Sequence, residues 1–73
     1  MITVEVGKSG VKVYISAGTG FLGTGGVREA ITDSKGDAYI NFDDYDSTFN
    51  GEIFVAGKSI YKGRIDANGI YSL

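Results

Sequence analysis

Apolar side chains in this chain recur at every second residue, and almost nowhere at the three- and four-residue spacing of a helix. Ile2, Val4 and Val6 alternate with Thr3 and Glu5. Val11, Val13 and Ile15 alternate with Lys12, Tyr14 and Ser16, and Ala38, Ile40 and Phe42 with Asp37, Tyr39 and Asn41. A period of two belongs to strands that bury one face. Twelve glycines and no proline cut this pattern into short pieces. Expected strands run over 2–6, 11–16, 27–32, 37–42, 52–56, 59–65 and 70–73. The residues between them are rich in turn formers: Gly7-Lys8-Ser9-Gly10, Asp33-Ser34-Lys35-Gly36, Gly57-Lys58 and Asp66-Ala67-Asn68-Gly69. About seven strands at this spacing predict an all-β fold, a small antiparallel β-sandwich, because short connections do not leave room for parallel crossovers.

Two of these turns predict specific hairpins. The 7–10 turn joins the first two strands, and the 33–36 turn joins 27–32 to 37–42, with Gly36 at positive φ and Asp33 capping the turn's N–H groups. Ile53 and Val55 face inward on 52–56. On 27–32, Val27, Glu29 and Ile31 share one face, or a bulge corrects the register. Residues 17–26 hold five glycines. Each would cost about 1 kcal/mol in a helix, so this stretch reads as a loop anchored by Phe21 and Leu22. Residues 43–50 read as a polar connection.

Composition excludes more than it proposes. The chain has 73 residues, 42% of them apolar, and a formal charge of −2. That length suits a single domain over 1–73 that buries roughly 60% of its unfolded surface. Without Cys there is no disulfide or thiolate metal site. Without His the commonest general base and metal ligand are gone. Scattered cations in a net acidic chain give no basic face for nucleic acid. No run approaches the roughly 18 apolar residues of a membrane-spanning helix, so no membrane insertion is expected. Met1 to Val6 carries no basic region followed by an apolar stretch, so no signal peptide is expected.

The stretch Thr32-Asp33-Ser34-Lys35-Gly36-Asp37-Ala38-Tyr39-Ile40 resembles the T-D-x-x-G-x-A/Y-x-F segment of transthyretin-like domains, the carboxypeptidase regulatory-like family. The V-x-V pair Val11-Lys12-Val13 lies upstream, and Gly51-Glu52-Ile53-Phe54-Val55 downstream is similar to the family's G-x-Y/I-x-V strand. The resemblance spans roughly residues 2–65, and other prealbumin-like or Cna-B-like sandwiches fit the same short motifs. The family's G-x-P-L-x-G-A entry is missing. The resemblance implies an Ig-like, transthyretin-like sandwich of seven antiparallel strands. It also implies an accessory, structural or protein-docking role without catalysis, beside enzymes, transporters and secreted or surface assemblies.

Candidate sites are few. Gly18-Thr19-Gly20-Phe21-Leu22-Gly23 fits G-x-G-x-x-G, and Asp43 lies twenty residues beyond Gly23. Dinucleotide binding also needs a helix after the loop, and a strand pattern follows instead. Asp43, Asp44 and Asp46, near Asn50 and Glu52, lack the spacing of a calcium loop, so no metal or other cofactor is expected. An isopeptide bond from Lys12 to Asn41 is disfavoured because both point outward. An enzyme is not expected, because the usual activated nucleophiles are missing. The remaining signal is aromatic: Tyr14, Tyr39 and Phe54 all lie opposite the core positions, with Tyr61 and Tyr71 joining them where register permits. Such rings stiffen sheets by cross-strand pairing, and they also build docking faces. At least two of the three are expected on one sheet, contacting a protein partner or a second copy. A module that binds carbohydrate or Ca²⁺ is the alternative.

Overall fold

The alternating apolar residues form strands whose inner faces share one core. A computed structural model describes residues 1–18, 26–45 and 47–73. Seven strands run in chain order as β1 (Ile2–Glu5), β2 (Lys12–Ala17), β3 (Val27–Ile31), β4 (Asp37–Ile40), β5 (Thr48–Val55), β6 (Lys58–Asp66) and β7 (Ile70–Ser72). They divide into a three-stranded sheet, ordered β4-β1-β7, and a four-stranded sheet, ordered β3-β2-β5-β6. Ile2, Val4, Ala38 and Ile40 from the smaller sheet meet Val13, Ile15, Ile53, Val55 and Ile65 from the larger in one buried cluster. Each is at an alternate strand position, so the period of two in the sequence becomes one packed interior. The expected loop anchors Phe21 and Leu22, the G-x-G-x-x-G positions after Gly18, and Asp46 lie outside the described residues.

Three expectations about pairing are corrected. β1 and β2 do not form a hairpin: the 7–10 turn, with Gly7 at φ 85° and Gly10 at φ 74°, carries the chain from one sheet to the other. The same holds for β3 and β4. Gly36 does sit at φ 84°, its N–H bonds the Asp33 carbonyl, and the Asp33 carboxylate accepts from the Lys35 and Asp37 N–H groups. The strands that leave this turn then part, β3 to pair with β2 and β4 with β1. A hairpin and a sheet-to-sheet arch bury the same alternate residues, so alternation does not distinguish them. Thirdly, β1 pairs with β7 in parallel, Val4 beside Tyr71. The need for a long crossover is met because these strands come from opposite ends of the chain.

Two boundaries also shift. Residues 48–50, expected in a polar connection, belong to β5, where Phe49 lies opposite Ile65. On β3 the inner positions are Arg28 and Ala30, while Val27 and Ile31 stand 61% and 57% exposed. The buried Thr32 hydroxyl ties two turns together. It donates to the Lys8 carbonyl and accepts from the Val11 N–H at 2.9 Å. Among the described residues, no helix is long and apolar enough to cross a membrane.

Candidate functional site

The outer face of the four-stranded sheet brings two of the three expected rings together. Tyr14 on β2 lies directly across from Phe54 on β5. Their rings stack with centroids 4.7 Å apart and planes 14° from parallel, both half-buried. Residues directly opposite on antiparallel strands stand on the same face, which makes this stack a consequence of register. Glu29 continues the row on β3, and Ser59 continues it on β6. Lys12, next along β2, holds its ammonium 3.5 Å from the Glu29 carboxylate.

Tyr39 stands apart from this pair. It lies on β4, across from Thr3 on the smaller sheet. Partial desolvation raises its phenol above the usual value, helped by the carboxylates of Asp37, Asp33 and Glu5. Tyr61 and Tyr71 do not join either outer face. Tyr61 pairs with the inward Ile53, and Tyr71 neighbours the inward Val4. Their rings meet at 5.2 Å on the inner side of the sheets. The Tyr61 hydroxyl donates to the Arg64 carbonyl, and the Tyr71 hydroxyl accepts from the Asp66 N–H.

One row beyond the Tyr14–Phe54 pair the sheet carries a shallow groove of about 250 Å³. Its floor is the backbone of Gly51 and Gly63, paired across β5 and β6, where no side chain rises between the outward residues on either side. A Cβ on Gly51 would stand 2.6 Å from the Ser16 carbonyl oxygen, so the close backbone approach requires glycine there. Ser16, Asn50, Glu52 and Lys62 surround this floor with a hydroxyl, an amide, a carboxylate and an ammonium. The sequence reading did not find this groove. Its one signal is a glycine inside a strand pattern, at Gly51 and again at Gly63.

The acidic segment is engaged internally. Arg28 reaches from the inner side of β3 across the gap between the sheets and makes a two-pronged bond to Asp44, at 2.6 and 2.8 Å, while also donating to the Asn41 carbonyl. The guanidinium lies 4.7 Å from the centroid of Phe42 and 5.2 Å from that of Tyr45. Its hydrogen bond to Asp44 holds that carboxyl down at about 2 and raises the arginine in return. Asp43 accepts from the Met1 amino group at 2.6 Å. Among the described residues no group of three or more acidic side chains is arranged to hold a metal ion.

No protein-family model, no curated protein and no solved structure matches this chain.

Proposed function

We propose that this chain is a non-catalytic structural or protein-interaction module of transthyretin-like sandwich type, an accessory domain or small subunit that docks through the outer face of its four-stranded sheet. The observation that carries the reading is the outward Tyr14–Phe54 stack. Two rings held in register, half-buried and rigid, offer contact area at little entropic cost. The sandwich type is supported by seven strands in two sheets around one core, and by the Asp33–Gly36 turn with its glycine at positive φ. The family resemblance supports the accessory role. Cross-linking in the native host, resolved to residues by mass spectrometry, tests the docking face. Cross-links to a partner should centre on β2 and β5 and disappear in Tyr14→Ser and Phe54→Ser proteins that keep their melting cooperativity. Cross-links indifferent to both substitutions overturn it.

A second reading, a carbohydrate-binding module, is favoured by one observation: the groove's Ser16, Glu52 and Lys62 lie one outward row from the aromatic pair, and its Asn50 two. A ligand that binds only the folded state raises the melting midpoint. A glycan-dependent rise abolished by Glu52→Ala would favour this reading over protein docking, and calcium serves as the parallel arm of the screen.

A further inference from the structure

The four strands at the edges of the two sheets are not equally guarded. β4 and β7 are four and three residues long. β6 is long, but a bulge interrupts it beside Ile53 and Phe54, and it carries Lys58, Lys62 and Arg64. Short length, bulges and charged side chains, lysine above all, are devices that keep an edge from pairing with another chain. β3 is guarded least: five regular residues without a bulge, with Val27 and Ile31 exposed on its outer row and one charge, Glu29, between them.

The backbone of β3 can be assigned residue by residue. Ala17 N–H bonds the Gly26 carbonyl, and Thr32 N–H bonds the Val11 carbonyl. Hydrogen-bonded pairs alternate along an antiparallel ladder, so Gly26, Arg28, Ala30 and Thr32 turn their groups to β2. Val27, Glu29 and Ile31 therefore turn their N–H and C=O groups to the edge, which no other strand among the described residues pairs, and these are the residues whose side chains stand on the outer face. Arg28 meanwhile anchors the strand through Asp44 and the Asn41 carbonyl, so the edge is held in an extended shape before any partner arrives.

We propose that β3 pairs with β3 of a second copy, antiparallel, about a two-fold axis through Glu29. In this register Val27 meets Ile31 of the partner on both sides of the axis, and all three outward residues of each strand find backbone partners. It is the only alignment of the outward groups that overlaps all five residues. The product is one continuous sheet of eight strands. Directly opposed residues share a face, so the Tyr14–Phe54 stacks of both copies look the same way. The pairing thereby deepens the docking reading: the module presents its aromatic face twice. It does not depend on that reading, because the contact uses β3 alone.

The axis brings Glu29 against its own copy. Like charges directly opposed weaken pairing, and Lys12 at 3.5 Å offsets each only in part. The contact is also smaller than a standard stable interface, so association belongs to the weak range, up to roughly millimolar. Sedimentation equilibrium across that range, joined to amide exchange by NMR, tests it. The expected results are a monomer–dimer equilibrium, with slowed exchange at Val27, Glu29 and Ile31 as concentration rises and little change at Arg28 and Ala30. Val27→Lys and Ile31→Lys should each weaken the dimer about tenfold or more without lowering the melting midpoint. Glu29→Thr should tighten it. A monomer at every concentration, a dimer indifferent to both lysine variants, or a dimer weakened by Glu29→Thr overturns the proposal. A dimer lost in Phe54→Ser but intact in the lysine variants overturns edge pairing and leaves the sheet-face reading standing.

Discussion

Two aromatic stacks in this protein have nearly the same geometry and opposite surroundings. Phe42 and Phe49 stack at 4.8 Å inside the fold, with Tyr45 edge-on to Phe42, while Tyr14 and Phe54 stack at 4.7 Å on the outer face of the larger sheet. Phe42 is fully buried, whereas Tyr14 and Phe54 each keep a wet edge. The ring-to-ring attraction is similar, about 0.5–1.5 kcal/mol beyond area burial in either place. What differs is the water removed around the rings. The inner stack is therefore a stability element, and the outer stack is a surface available to a partner.

The sharpest way to break this comparison is to truncate one ring from each stack. Phe42→Ala should cost about 3–5 kcal/mol, because it deletes a buried ring and leaves a cavity beneath Arg28. Chemical denaturation measures this, and a loss near 1 kcal/mol would mean that the inner cluster is not the keystone its burial implies. Next in size is Gly51→Ala, on the inner side of β5 between the two stacks. The new Cβ would stand 2.6 Å from the Ser16 carbonyl oxygen and 3.1 Å from the Phe49 ring. Overpacking of this kind costs about 1–3 kcal/mol, again read from denaturation midpoints. Phe54→Ser or Tyr14→Ser should cost about 1–2.5 kcal/mol, the stack together with the half of each ring that is out of water, while abolishing partner cross-links. A larger loss of stability would move the outer stack into the same category as the inner one.

The smallest effect is electrostatic and belongs to the inner cluster alone. Asp44 titrates at about 2 instead of its usual 3.8 because Arg28 binds its ionised form. A depressed acid adds stability above its unfolded value and loses it as the pH falls through the folded one. The contribution is therefore present above about pH 4 and fades toward pH 2. Carboxyl NMR titration should place Asp44 near the lower value, and Arg28→Ala should return it toward 3.8. Melting curves of Phe54→Ser should keep the same acid limb, since its ring lies on the other face of the sheet.

The parts of this fold that were legible in the sequence are those set by a residue's immediate neighbours. Alternation at Ile2 and Val4, at Val13 and Ile15, and at Ala38, Ile40 and Phe42 located strands and named their buried faces correctly. Asp33 and Gly36 announced a turn, and it is there. The register of Tyr14 with Phe54 was not legible, because it depends on β2 lying beside β5, strands almost forty residues apart in the chain. The groove over Gly51 escaped for the same reason: a glycine in a strand signals close approach but does not say to what. Tyr45 and Phe49 were passed over because the acidic residues around them dominated the reading of 43–50.

By itself, then, the sequence determined local conformation and inside–outside assignment, since a period of two and a positive-φ glycine are properties of a few adjacent residues. Tertiary structure decided which strands pair. The turns at 7–10 and 33–36 change sheets instead of closing hairpins, and β1 and β7 join the chain's two ends in parallel. The physical reason is that both arrangements bury the same side chains locally. The choice between them rests on which distant strands can complete each other's hydrogen bonds over one shared core, and that sum is taken over the whole chain.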